Sequence, residues 1–419
     1  MAEANALILE DKMGIEIVPF LIKKKINKYP NVKYNDLQLV NYTRSSINDI
    51  RVNLVLPTMN KKSIYGGIST ALNFFDSVAE AYNAEKRIIV TDTDLDIESK
   101  KEYRNYNLVS PDSDMVCKGK ITLCEMTEKN RQTKKLTVRE NDFFITTHWK
   151  TKYVFENLAL FQKEEYHIDR PLLYFIQDYE PGFSAWSTNF CLADSTYKDG
   201  NSIAVFNAES LKNYFQLLGY KFKVELFFNP ILNHSMAKIL HNATEMPRKN
   251  RIIFYGRPYE ERNCFALGVE AMKAYIKKYH PDHSWEFISM GAWHRAIKLG
   301  DEFVLHSNGK MSLEEYAKYL LGSKVGISLM CSPHPSYPPL EMSTFGVKTV
   351  TNTYICKDLS GFNDNIVSVE RMDINSLADA IHKAVLLSEK ETRLYKETPY
   401  TMGKDQFKDV IVKLLKIWR

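Results

Sequence analysis

The chain has 419 residues, of which 44% are apolar and 26% charged. That ordinary globular composition excludes a disordered or collagen-like protein, and ~150 residues per domain leaves room for two or three domains. Its 56 Lys and Arg against 51 Asp and Glu give a net charge of +5, a mild excess that suits an anionic small molecule or surface. With no long basic stripe, it gives no reason to expect nucleic acid.

Residues 1–48 read as a helical extension before the main fold. Their start, MAEANALILEDKMG, lacks the basic-then-apolar layout of a secretory signal, and no apolar run in the chain approaches the ~20 residues of a membrane span. Ile15, Ile17, Val18, Leu21 and Ile22 precede Lys23, Lys24 and Lys25, a pattern that fits a solvated helix end or contact with anionic lipid headgroups.

From Arg51 short β-branched or aromatic runs alternate with segments of helical period. Runs at 51–56, 87–91, 143–147, 172–177, 202–206 and 224–228 are apolar nearly throughout, as in parallel strands buried on both faces. Ile68, Leu72, Phe75, Val78, Ala79 and Tyr82 share one helical face. The polar, proline-containing stretch 233–250 reads as a boundary between a first domain, 49–235, and a second, 236–403. The rhythm then restarts at 251–255, 285–289, 325–330 and 347–351, with Phe265, Val269, Met272 and Ile276 on one helix and a capping box of Ser312 and Glu315 opening another. Residues 404–419 form a last helix with an apolar face from Phe407 to Trp418. It is expected to return to the first domain and bury Leu414, Leu415 and Trp418, with membrane contact beside Lys413, Lys416 and Arg419 as its alternative. The result is an α/β fold of two Rossmann-like, doubly wound domains, with the chemistry in the cleft outside the carboxyl ends of the strands.

The cysteines, Cys117, Cys124, Cys191, Cys264, Cys331 and Cys356, include no C-x-x-C. Neither a zinc site nor a disulfide framework is expected, and a reducing cytoplasm is the expected compartment.

Loops that end strands carry the candidate site. Tyr65-Gly66-Gly67 opens the first helix, where two glycines admit a ligand to the backbone and the helix start favours an anion, or where they simply make a tight turn. His148 ends one strand, and Asp178 and Glu180 follow another; rings and carboxylates mixed in this way suit a sugar. In the second domain Gly256-Arg257-Pro258 offers a guanidinium fork to phosphate, Arg262 adds charge, and the alternative for Arg257 is a surface ion pair with Glu260 or Glu261. Gly291 and Met311 are further substrate-binding candidates. Lys310, in Asn308-Gly309-Lys310-Met311, can reach a phosphate as a point charge. In SPHPSYPPLE, 332–341, prolines stiffen a loop that runs into a helix. Glu341 there can accept paired ribose hydroxyls or serve the helix dipole, and Ser336, Tyr337 and Leu340 are expected to supply pyrophosphate contacts. Asp92-Thr93-Asp94 and Asp112-Ser113-Asp114 match a Mg²⁺-diphosphate D-x-D, but the second Rossmann-like half argues against that chemistry. No catalytic metal and no cofactor are expected.

Strand–Gly-Arg with a following cation, and the later loop–Glu–small helix–Gly–strand, resemble glycosyltransferase family 4, retaining enzymes of the GT-B fold. Across 332–352 the sequence is also similar to bacterial rhamnosyltransferases that extend the polyrhamnose glycan of S-layer glycoproteins. The resemblance places the family's phosphate Arg at Arg257, its next cation at Arg262, its first-domain histidine at His148 and its ribose Glu at Glu341; the first Glu of its E-x7-E falls on Pro333. It implies transfer of rhamnose from dTDP-rhamnose, or another nucleoside-diphosphate sugar, to a lipid-linked, rhamnose-bearing glycan at the inner membrane face. Arg257, Lys310, His148 and Asp178 would be its catalytic set. A non-catalytic sugar-binding protein and a nicotinamide oxidoreductase are the alternatives from other classes, and the latter lacks the glycine fingerprint.

Overall fold

The strand Arg51–Leu56 is buried along its whole length and lies at the centre of an eight-stranded parallel sheet. The computed structural model describes residues 34–61, 66–116, 119–244, 247–391 and 393–418. The expected extension with Lys23–Lys25 falls outside them up to residue 33, as do Tyr65, Cys117 and Arg419. From one edge to the other the strands are Val224–Phe227, Ile203–Phe206, Leu173–Ile176, Asp142–Thr146, Arg51–Leu56, Glu85–Val90, Ile121–Glu125 and Asn107–Val109. Strand order therefore reverses beside Arg51–Leu56, and the helix Gly66–Ala81 starts at that switch point.

Two polar side chains in this central strand are also buried. Arg51 makes a forked pair with Asp142, both contacts at 2.7 Å, and Asn53 donates to the same carboxylate at 3.0 Å. Burial pushes the Asp142 carboxyl up, but Arg51 and Arg87 outweigh it and hold it down at about 2.

The second sheet runs Ile297–Lys298, Val304–Ser307, Glu286–Gly291, Lys249–Gly256, Ser323–Ile327, Lys348–Asn352 and Ile366–Val369. Only the short edge strand Ile297–Lys298 is antiparallel among them. Its own core joins Ile252, Phe254, Val269 and Met272 to Leu377, Ile381 and Ala384 of the helix Ile374–Lys390. The polar stretch at 233–250 is not all linker: His234–Asn242 is a helix whose Met236 and Leu240 pack with Ala317 and Leu320 of the helix Leu313–Gly322. That latter helix opens with Ser312 and Glu315 capping one another.

After the second domain the chain crosses back. Helix Lys408–Ile417 adds Val410 and Leu414, with Phe407 and Trp418 at its ends, to the first core beside Phe74, Phe143, Phe175 and Phe228. Trp418 is fully buried, edge-on to Phe143 at 5.0 Å, and donates from Nε1 to the Pro171 carbonyl at 2.9 Å. Tyr82 in turn donates to the Leu414 and Trp418 carbonyls at 2.9 and 2.8 Å. Leu415, expected inside, is only half-buried because it lies beside the buried stripe rather than on it.

Candidate active site

The second-domain half of the site is built around Gly291. Its φ of +129° is open to glycine alone, and a Cβ there would meet the Gly256 carbonyl at 2.8 Å and Arg257 Cγ at 3.3 Å. Its N–H donates to the Gly309 carbonyl at 3.0 Å. One residue thus holds together the Arg257 turn and the loop that ends in exposed Lys310. Gly291 shapes the site without offering a side chain to a ligand. Arg257 is half-buried and its Nη2 lies 3.0 Å from Glu260. This is the surface pair weighed from sequence, three residues apart and partly solvated, and such a pair is easily exchanged for a phosphate.

Buried polar groups pin the loop between Ile327 and the helix Tyr337–Thr344. The Met330 carbonyl accepts from Lys357 Nζ at 2.7 Å and from Asn352 Nδ2 at 3.1 Å, and Asn352 Oδ1 accepts from the Met330 N–H at 2.8 Å. Burial lowers the Lys357 ammonium to about 8. Ser336, at φ +67°, caps the helix and donates its N–H to His334 Nδ1 at 3.0 Å, so that expected phosphate donor is already engaged. Pro338 and Pro339 remove two more donors, and Leu340 sits where its N–H closes the first helical turn; its side chain is in the apolar core. Of the expected loop donors, the Tyr337 N–H is the one that helix geometry leaves over. Glu341 is half-buried near the rings of Tyr255, Tyr316 and Tyr400. Burial pushes its carboxyl up to about 7, with the Tyr316 hydroxyl opposing. Tyr255, which feels both Arg257 and Glu341, places these two side chains on one side of the domain. Met311, half-buried, packs against the apolar cluster of Met290 and Leu340.

First-domain groups come to the same place. Asp178 is buried, accepts from Arg262 Nη1 at 3.2 Å, and takes a short hydrogen bond from the Ser332 hydroxyl. This carboxylate therefore ties two second-domain loops across the cleft, and Arg262, stacked 4.2 Å from the Phe183 ring, faces it rather than an open phosphate site. The Tyr337 hydroxyl reaches Thr70, just past the first turn of helix Gly66–Ala81. Gly67 belongs to the same corner, since a Cβ there would sit 2.9 Å from Gln177 Oε1, whereas Gly66 faces open space. His148 caps the helix Trp149–Val154, its Nδ1 accepting from the Lys150 N–H at 3.3 Å, and burial lowers its ring to about 4, so it is neutral at neutral pH. Glu180 accepts from the Trp149 N–H at 2.5 Å, and burial drives its carboxyl up to about 8. Both residues organise the turn at 148–149.

Three participants carried no signal in the sequence: Ser332, His334 and Lys357, each reading as ordinary loop polarity until the fold buries it. The cysteines, scattered in sequence, meet at one point, where Cys264 and Cys331 lie with Sγ atoms 3.3 Å apart. Asp92 accepts from Thr91 at 2.7 Å and Asp94 from Thr127 at 2.9 Å, so both D-x-D carboxylates have local partners. Among the described residues no three His, Cys, Asp or Glu side chains cluster as metal ligands, and no helix is long and apolar enough to cross a membrane.

The family model "WsaF, N-terminal domain" matches residues 51–209, and "WsaF, C-terminal domain" matches residues 250–382. A curated relative, the O-antigen biosynthesis protein RfbC of Myxococcus xanthus, is 27% identical over 297 residues, which is 69% of this chain but 21% of that protein. The chain thus spans about a fifth of the length of that relative. Among solved structures, sucrose-phosphate synthase from Thermosynechococcus elongatus aligns over 88% of this chain and 98% of its own, with 12% identity and a TM-score of 0.56. Anabaena HepE, solved with UDP and glucose, aligns over 88% and 100%, with 10% identity and a TM-score of 0.56. The E. coli trehalose-6-phosphate protein bound with UDP-2-fluoro glucose aligns over 87% and 95%, with 12% identity and a TM-score of 0.53. Likeness at these identities speaks for the fold, two Rossmann-like domains facing a cleft in the GT-B arrangement. The chain thus carries, in order, regions that match the N-terminal and the C-terminal domain of WsaF.

Proposed function

We propose that the chain is a glycosyltransferase that moves rhamnose from dTDP-rhamnose to a hydroxyl of a growing, lipid-linked rhamnan at the cytoplasmic membrane face, with retention and without a metal ion. The observation that carries the reading is the joint placement of Arg257 and Lys310 through Gly291, at the carboxyl end of the second sheet. Two cations on fixed loops can take up the charge that grows on a leaving diphosphate. Glu341, on the same side, accepts the 3′-hydroxyl of the nucleoside's deoxyribose, and the 148–180 corner of the first domain holds the acceptor. Front-face attack fits retention: the departing diphosphate oxygen takes the acceptor proton, and no first-domain carboxylate serves as nucleophile. The WsaF domains and the O-antigen name of the relative support glycan synthesis. The sequence likeness across 332–352 is what favours rhamnose.

The reading is tested by incubating the full chain with dTDP-rhamnose, UDP-glucose or GDP-mannose and a rhamnose-terminated acceptor in excess EDTA. Transfer of rhamnose with the anomeric configuration kept is expected. Loss of transfer that Mg²⁺ or Mn²⁺ restores would move Asp92 and Asp94 into the site.

Glu341 adds a pH dependence. Its ionised carboxylate is a stronger acceptor for the deoxyribose 3′-hydroxyl than the neutral acid, so affinity for dTDP should rise between pH 6 and pH 8, through the value of about 7. Stability moves the other way. A carboxyl raised in the folded state binds its proton there at pH values where the unfolded chain has lost it, so stability falls from the ordinary carboxylate range up to about 7. Glu341→Gln should therefore melt higher than the parent at pH 8 and bind dTDP more weakly with a flat pH profile. A parent whose dTDP affinity is itself flat over this range would remove Glu341 from the donor site.

A further inference from the structure

His334 is 5% exposed and lies between Asp178 of the first domain and the start of helix Tyr337–Thr344. Three bonds fix it. Its N–H donates to Ser332 Oγ at 3.0 Å, that hydroxyl donates to Asp178, and its ring Nδ1 accepts from the Ser336 N–H at 3.0 Å. Because Nδ1 receives a hydrogen bond, the proton of the neutral ring is on Nε2. Nε2 has no partner among the described residues. A buried donor left unmade costs free energy, and such groups call for an explanation. Asp178 does not satisfy it, being already engaged by Ser332, Arg262 and the Tyr179 N–H.

The bonding also limits the charge this ring can carry. A second proton would have to sit on Nδ1, facing the Ser336 N–H donor to donor. Burial acts in the same sense and lowers the ring to about 4, with Asp178 opposing and Arg262 and Lys357 reinforcing. The group is thus held as a neutral, single donor. It suits an uncharged acceptor oxygen better than a phosphate, for which the structure provides Arg257 and Lys310 on separate loops.

We propose that His334 donates from Nε2 to a hydroxyl oxygen of the donor sugar, making it a specificity-determining residue that separates nucleotide sugar from free nucleotide. The inference rests on the donor reading above.

Two variants divide the functions of the ring. His334→Asn keeps an acceptor near the Nδ1 position for Ser336 and removes the Nε2 donor. His334→Gln keeps an amide donor near Nε2 and gives up the Nδ1 acceptor. Calorimetry on the full chain first identifies which of dTDP-rhamnose, UDP-glucose and GDP-mannose binds the parent, and the comparison uses that sugar nucleotide and its matching diphosphate. His334→Asn is expected to lose roughly 5–20-fold in affinity for the sugar nucleotide, the size of one hydrogen bond, with its affinity for the diphosphate unchanged. His334→Gln should retain most of the parent's preference for the sugar form. In turnover, KM for the donor should rise in His334→Asn with kcat less affected. Unchanged sugar-nucleotide affinity in His334→Asn overturns the proposal. So does an equal loss for both ligands, which would mean a phosphate contact or a purely structural loop residue. If the parent prefers another donor, the sugar named above is revised and the His334 comparison is read in the same way. If the parent binds none, both readings fall.

Discussion

Replacing Arg257 by alanine is expected to weaken dTDP binding by about 1.5–3 kcal/mol, or roughly ten- to a hundredfold, because a charge-assisted hydrogen bond to phosphate is lost. Lys310→Ala should lie at the lower end, since the residue is exposed and its ammonium acts as a point charge. The two side chains approach from loops that both lean on Gly291, so their effects should fall short of additive. Glu260→Ala is the control: it removes the carboxylate now paired with Arg257 at 3.0 Å, and dTDP affinity should hold or rise slightly. Calorimetry measures all three, with thermal melts confirming intact folding. Unchanged dTDP affinity in both Arg257→Ala and Lys310→Ala would falsify the phosphate assignment and leave the pair with Glu260 as the function of Arg257.

The second large effect concerns the crossing helix. Trp418→Ala removes a fully buried ring that contacts Phe143 and Tyr82 and leaves the Pro171 carbonyl without its donor. Such a change costs about 3–5 kcal/mol, a large part of the ~5–15 kcal/mol by which domains are stable. Deleting residues 404–419 should cost more, because Phe407, Val410 and Leu414 leave the same core. Hydrogen exchange is expected to show lost protection in the strands Asp142–Thr146 and Leu173–Ile176, far from the cut in sequence. Flotation with anionic liposomes checks the membrane alternative. A truncated chain as stable as the parent, and unable to float where the parent floats, would show that the helix serves lipid rather than the core.

The alternation of apolar runs and helical periods was enough to place most strands of both sheets, because parallel strands buried on both faces are apolar at nearly every position. Ile121–Glu125 and Ile366–Val369 escaped for the converse reason: edge-side or short strands mix polar residues into the run. Helix His234–Asn242 was hidden in a polar stretch because only Met236 and Leu240 are buried. Arg51 and Asp142 show the same limit from inside, where charges occupy buried strand positions and only their pairing across the sheet makes that tolerable. For the site, glycines and prolines marked the loops at 66–67, 256–258 and 332–341, since backbone constraint is written locally. The bond between Ser332 and Asp178 joins residues 154 apart. No period or spacing encodes such a contact, so the use of Arg262 as a partner of Asp178, and the seat of His334, emerge only once the two domains are assembled.

The crossing helix sets an order of events during synthesis. The last strand of the first sheet ends at Phe227, yet the core beneath that sheet is completed by Phe407, Val410, Leu414 and Trp418. At ~5–20 residues per second, the ribosome needs roughly 10–40 s to pass from one to the other. Through that interval Phe74, Phe143, Phe175 and Phe228 lack their covering helix, and the nascent chain presents an aromatic surface open to chaperones or to aggregation. Of these two domains, the one made earlier is thus finished later, and a message broken anywhere between them yields a product defective in both.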